Sequence, residues 1–218
     1  MKSPIRIVLV DDHALVRESL SQMLSGEPDF QIVRTANNAE DAIRAAFETK
    51  PDVLLMDIDM PGLICFDAAD QILRMVDNVR IIFLSAFFHD HYIEQALRVK
   101  ARGYVTKSEP PQKVIEAVRQ VASGRVYFSP EVRSRIIAGD GEVKLAGSEQ
   151  TRAATLSDRE VEVLRYLARG LSKKEIATTM HVSVKTVEGH AQKVMDKLDI
   201  HDRVELARFA IREGLAEA

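Results

Sequence analysis

The chain has 218 residues, a formal net charge of -3, 46% hydrophobic and 29% charged residues, the make-up of a folded globular protein with one large domain or two modest ones. A single cysteine, Cys65, excludes an intramolecular disulfide and fits a reducing compartment. No run approaches the roughly 20 apolar residues of a membrane span, and the apolar run Ile7 to Val10 is too short for a signal peptide, so a cytoplasmic protein with no membrane partner is expected.

In chain order, strand-like runs fall at 5–10 (IRIVLV), 30–35 (FQIVRT), 52–57 (DVLLMD), 80–85 (RIIFLS) and 103–106 (GYVT). Amphipathic stretches at 14–24, 38–48, 66–76, 90–100 and 111–123 separate or follow them. Strict alternation of strand and helix predicts a doubly wound α/β domain over residues 1–128, with five parallel strands and helices on both faces. Continuous apolar runs such as VLLM and IIFL suit strands buried on both sides. Residues 129–154 read as a linker, rich in Gly and polar residues after a short helix at SPEV (129–132).

From 155 to 218 the strand pattern stops and a small all-α domain is predicted. SDRE (Ser157, Glu160) and SKKE (Ser172, Glu175) are capping boxes, Ser183 is a third N-cap, and Gly170 sits where a left-handed residue ends a helix. Val161, Leu164, Leu167 and Ala168 line the first helix, and Ile176, Ala177 and Met180 the second. Val184, Val187, Ala191, Val194 and Leu198 are the expected buried stripe of the third. The short turn MHVS (180–183) gives the angle of a helix-turn-helix. This segment carries 11 basic and 11 acidic residues, so any nucleic-acid contact needs its basic groups gathered on one face. A small helical bundle that binds protein is the alternative.

The predicted strand ends carry the chemistry. Strand one ends at Asp11-Asp12, strand three at Asp57, strand four at Ser85, and Lys107 follows strand five. In a parallel α/β sheet ligands collect at the carboxyl ends of the strands. Crowded carboxylates need a cation, and a hard oxygen site suits Mg2+. A lysine opposite can neutralise an incoming anion. That set serves phosphoryl transfer to a carboxylate, which depends on positioning and charge neutralisation.

VLVDDHALVRESL, DVLLMDIDMPG, IIFLSA and GYVTK resemble the receiver domain of bacterial two-component response regulators, over about residues 4–124. The resemblance implies a flavodoxin-like fold in which Asp57 accepts phosphate from a sensor histidine kinase. It further implies Mg2+ on Asp11, Asp12, Asp57 and the backbone carbonyl of Asp59. Ser85 matches the switch hydroxyl, Tyr104 the aromatic switch, and Lys107 the phosphate-binding lysine. The frame departs from the family after Met60-Pro61-Gly62, where Leu63-Ile64-Cys65 replaces a common Met-Asp-Gly. Residues 156–215 resemble the LuxR-type helix-turn-helix, in the domain order of NarL/FixJ-type regulators. That implies sequence-specific binding to double-stranded DNA, usually by homodimers on two-fold sites. Lys185 and Thr186 would reach phosphates, with Glu188, Gly189, Gln192 and Lys193 facing the groove.

A competing enzyme reading comes from DIDMP, which also fits the Asp-x-Asp start of haloacid-dehalogenase-type phosphatases. In that class an acidic pair follows the lysine. Here SEPPQKVIEAV offers no such pair after Lys107, and the Asp pair comes first in the chain instead.

Overall fold

The computed structural model describes residues 3–60, 65–86, 90–139, 142–145, 152–213 and 215–216. It divides into two compact units, Met1–Ala146 and Gly147–Ala218. In the first, β1 (Ile5–Val10), α1 (Ala14–Ser25), β2 (Phe30–Ala36), α2 (Ala39–Thr49), β3 (Val53–Asp57) and α3 (Cys65–Met75) alternate as predicted. β4 (Arg80–Ser85), α4 (Asp90–Arg98), β5 (Gly103–Thr106) and α5 (Pro111–Ala122) complete that pattern. All strand pairings in this sheet are parallel.

Strand alternation divides the core between the two faces of the sheet. Val8, Val10, Leu54, Met56, Ile81, Phe83 and Tyr104 face α2, α3 and α4, while Ile7, Leu9, Val53, Leu55, Ile82, Leu84 and Val105 face α1 and α5. The central strands are therefore apolar throughout until their carboxyl ends, where polar residues appear.

The sheet has six strands where five were expected, in the order β2-β1-β3-β4-β5-β6. The sixth, β6 (Tyr127–Phe128), pairs with Gly103 and Tyr104 of β5. A two-residue strand has too few side chains to display a period, which is why the sequence pattern passes over it. α6 (Pro130–Arg133) follows, and then the antiparallel pair β7 (Ile136–Gly139) and β8 (Glu142–Leu145).

The stretch expected as linker, 129–154, is thus structured over most of its described length. Its part up to Ala146 belongs to the first compact unit. Val132 is fully buried in the same core as Phe128 and Tyr104. The Ser129 amide donates to the Tyr104 carbonyl at 2.9 Å, and Arg135 pairs with Asp90 of α4 at 2.7 Å. Val132→Asp is therefore expected to destabilise the first unit by about 3 kcal/mol or more, because it buries a charge without a partner. Urea unfolding of the full chain measures this, with exposed Glu131→Ala as the neutral control. An unchanged first transition for Val132→Asp would return this stretch to the linker.

In the second unit a 3-10 turn (Arg152–Thr155) leads into α7 (Asp158–Ala168), α8 (Lys173–Thr179), α9 (Val184–Leu198) and α10 (Arg203–Arg212). Both capping boxes form, Ser183 caps α9 through the Thr186 amide, and Gly170 takes φ +89°. One side of α7 (Val161, Leu164) packs with α9 and α10, and the other (Val163, Leu167) with α8 and the start of α9. Val184 departs from the predicted buried stripe: it is 37% exposed. It is the first residue of α9, where no preceding turn exists to cover it.

Candidate functional site

At the carboxyl edge of the sheet, β1 delivers Asp11 and Asp12, β3 ends on Asp57, β4 ends on Ser85, and Lys107 follows β5. Asp11, Asp57 and Ser85 are fully buried. The Lys107 ammonium lies 2.9 Å from Asp11 Oδ2 and 2.9 Å from Asp57 Oδ2. Backbone contacts fix these groups: the Lys107 amide donates to the Ser85 carbonyl at 2.7 Å, and the Ile58 amide to the Leu84 carbonyl at 2.9 Å. The Asp59 amide turns back to Asp57 Oδ1 at 3.3 Å. The Tyr104 hydroxyl is hydrogen-bonded to Ser85 and its ring is fully enclosed; burial pushes its pKa up. The Tyr104 side chain thus lies inside the fold in this structure.

Two residues beside the predicted set join the pocket. The His13 amide donates to Asp11 Oδ1 at 2.8 Å, and Arg17 donates to the Asp11 carbonyl at 2.6 Å. His13 could have been suspected from sequence because it directly follows the acidic pair. Arg17 carries no such signal. The Leu63-Ile64 departure and the Pro61-Gly62 turn lie outside the described residues, while Cys65 opens α3 and is buried.

Electrostatics in the pocket are opposed. Burial raises the Asp57 pKa from 3.8 to about 6, against the pull of the Lys107 ammonium. Burial disfavours the Lys107 ammonium, but Asp57 and Asp11 hold its pKa above the ordinary value. Since folded Asp57 holds its proton more tightly than unfolded Asp57, the native state binds more protons between these two pKa values. Stability at this position therefore falls as pH rises through that window, and above about 6 the ionised group carries the full burial cost. Asp57→Asn is expected to stabilise the metal-free protein by about 1–3 kcal/mol at pH 8 and hardly at all at pH 4. Thermal melts in EDTA at both pH values read this out; equal shifts at the two would contradict it.

Asp12 Oδ1 is a buried oxygen that accepts no hydrogen bond, and Asp57 Oδ2, also buried, has the Lys107 ammonium as its partner. Asp11, Asp12, His13 and Asp57 form a cluster that offers one ligand atom each, all within 4.8 Å of one another. This donor set can hold a divalent cation, and its carboxylate oxygens fit Mg2+.

The second unit presents a different surface. Lys185, Thr186, Glu188, Gly189, Gln192 and Lys193 are all exposed on α9. The turn before that helix places His181 at φ 54° and is closed by the Val182 amide on the Ala177 carbonyl at 3.0 Å. Lys197 holds the far end of α9, bonding the Thr155 carbonyl at 2.9 Å and the buried Glu160 carboxylate at 2.6 Å. Two exposed groups on the outer face are already engaged: Glu188 with Lys173 at 3.6 Å, and Gln192 with Asp196 at 2.9 Å. A Cβ added at Gly189 would meet nothing, so packing within the domain does not require glycine there.

Family comparison agrees with both units. Residues 7–119 match the response regulator receiver domain, and residues 154–210 match the luxR family of bacterial regulatory proteins. The chain is 33% identical to the transcriptional regulatory protein YxjL of Bacillus subtilis over 99% of both chains. This protein belongs to the response regulators that join a receiver to a LuxR-type domain. The phosphatase alternative falls with that assignment.

This response regulator is also 34% identical to the oxygen regulatory protein NreC of Staphylococcus carnosus, over 98% of this chain and all of that one. Among solved structures, RcsB of Salmonella typhimurium shares the fold, with TM-score 0.71 and 22% identity over 97% of this chain and 99% of that one. A LuxR-family response regulator from Aurantimonas sp. is 32% identical, covering 61% of this chain and 94% of its own, with TM-score 0.58. The response regulator is thus a transcriptional regulator with a receiver and a LuxR-type DNA-binding domain. Among its described residues no helix is long and apolar enough to cross a membrane.

Proposed function

We propose that this response regulator takes a phosphoryl group onto Asp57 from the phosphohistidine of a sensor histidine kinase, in the cytoplasm, and that the modification governs DNA binding by α9. The observation that carries this reading is the Lys107 ammonium, seated 2.9 Å from the buried Asp57 carboxylate at the open edge of the sheet. The P–N bond of the donor breaks as an Asp57 Oδ–P bond forms, and the donor imidazole leaves. Lys107 neutralises the arriving phosphoryl oxygens, and the Asp59 amide orients the carboxylate that attacks. Mg2+, held by Asp11, Asp12, Asp57 and the Asp59 carbonyl, supplies further neutralisation of the phosphoryl charge when bound. The unbonded Asp12 Oδ1 and the clustering of Asp11, Asp12 and Asp57 support that cofactor.

Ser85 sits on the strand next to Asp57 and is hydrogen-bonded to Tyr104. A phosphoryl group on Asp57 competes for the Ser85 hydroxyl and so perturbs the Tyr104 contact. The result is a shift between two packings of the receiver. Lys185 and Thr186 contact phosphates, and Glu188, Gly189, Gln192 and Lys193 face the major groove, in a homodimer on a two-fold site. A solved structure of RcsB, which shares the fold, holds that protein bound to promoter DNA in the presence of the phosphomimetic BeF3-.

The test is chemical. Acetyl phosphate with Mg2+ should give a hydroxylamine-labile acyl phosphate that peptide mapping places on Asp57, and Asp57→Asn should abolish it. Label on any other residue would refute the assignment.

A further inference from the structure

The stretch from β6 to β8 is tied to the elements that carry Ser85, Tyr104 and Lys107. Its root lies on β5: Tyr127 and Phe128 pair with Gly103 and Tyr104, and the Ser129 amide donates to the Tyr104 carbonyl. The Tyr127 hydroxyl donates to Glu109 Oε1 at 3.2 Å, and Glu109 belongs to the loop that carries Lys107. Phe128 and Val132 share one core cluster with Tyr92, Ile93 and Ala96 of α4, and Ile136 packs against it. At the outer end Arg135 pairs with Asp90 at 2.7 Å, and β8 runs alongside α4. Asp90 opens the helix that follows β4, and Ser85 closes that strand.

These ties differ in strength. The root consists of backbone hydrogen bonds and enclosed side chains, with Ser129 and Val132 fully buried. The outer tie is an ion pair whose side chains are 40% and 50% exposed, a contact that water and salt weaken. A small displacement of the first turn of α4 breaks it while the root stays attached. A phosphoryl group on Asp57 that engages Ser85 disturbs the Ser85–Tyr104 contact. The disturbance then reaches this stretch from two sides, through Tyr104 at the root and through the start of α4 at the outer tie. A firm root with a weak catch gives two discrete arrangements, closed and open.

We infer that Arg135, β7 and β8 form a clasp on α4, held shut by the Arg135–Asp90 pair in the unphosphorylated protein and opened by phosphorylation of Asp57. The inference rests on the phosphoacceptor reading given above. It supplies the route by which that modification leaves the receiver, because the chain continues from β8 into the second unit. Opening lengthens the free tether of the DNA-binding domain, and tether length decides whether two linked domains can engage one site together.

Hydrogen exchange of the full chain tests this, with and without acetyl phosphate and Mg2+, with the acyl phosphate mapped in the same samples. In the wild type, acetyl phosphate should speed exchange in β7 and β8 and leave β6 unchanged. Arg135→Ala should show the fast exchange without acetyl phosphate. It should also bind a selected DNA site about fivefold more tightly than the unphosphorylated wild type. The charge-swapped protein, Asp90→Arg with Arg135→Asp, should restore slow exchange, and exposed Glu131→Ala should behave as wild type. Exchange in β7 and β8 that responds neither to phosphate on Asp57 nor to Arg135→Ala overturns the clasp and leaves the phosphoacceptor reading standing. Absence of acyl phosphate on Asp57 overturns that reading and this inference with it.

Discussion

Lys107→Ala is expected to destabilise the metal-free receiver by about 3–5 kcal/mol at pH 8 and to slow phosphoryl uptake on the order of 100-fold. Asp11 and Asp57 are fully buried, and among the described residues the Lys107 ammonium is the cation that reaches both. Its removal leaves two carboxylates facing each other without compensation. The native state then answers by holding a proton, and burial raises the Asp57 pKa with its main opposition gone. A protonated carboxyl is a poor nucleophile, so uptake fails for the same reason that stability does. The two effects separate experimentally. Added Mg2+ should restore much of the stability, since it supplies positive charge at the same oxygens. It should restore less of the rate, since the phosphoryl oxygens still lack the ammonium. Urea unfolding with and without Mg2+, beside the initial rate from acetyl phosphate, measures both. Wild-type stability and rate in Lys107→Ala would show that the observed ion pairs have no energetic role.

On α9, Lys185→Ala should weaken every DNA sequence alike and reduce the salt slope by about one, the signature of a lost phosphate contact. Gln192→Ala should instead relax choice at particular base pairs by about 1–3 kcal/mol each. The structure adds a cost to base reading. Gln192 is bonded to Asp196, and Glu188 is paired with Lys173, so each gives up an internal partner to meet a base. Those pairs are exposed and weak, about 0–1 kcal/mol each, and the exchange is affordable against a bidentate base contact. A randomised operator library selected with each variant distinguishes the two behaviours. Equal losses across the whole library for both would remove the division between phosphate and base contacts.

The strand ends were legible in the sequence because each apolar run stops at a chemically different residue. VLLM halting at Asp57 and IIFL at Ser85 place both groups at the carboxyl edge once the strands are parallel. The helix starts were equally legible, since Ser157-Glu160 and Ser172-Glu175 are local patterns whose hydrogen bonds depend on no distant residue. What escaped was tertiary. β6 has two residues, and Val132 is one apolar side chain among polar neighbours; only the surrounding core shows that both are buried. Helical spacing placed Val184 on the buried stripe, but spacing carries no information on whether a covering element exists at the first turn. His13 follows the acidic pair in the chain, but its 2.9 Å approach to Asp12 depends on how the ring is turned, which the sequence does not carry.

Phosphate on Asp57 is proposed to gate the DNA-binding domain. DNA selection and binding with the wild-type chain, with and without acetyl phosphate, beside Asp57→Ala under both conditions, tests this gating. Acetyl phosphate should strengthen binding to the selected sites for the wild type and change nothing for Asp57→Ala. Identical binding in all arms would contradict it, because the receiver and the helix-turn-helix would then act independently.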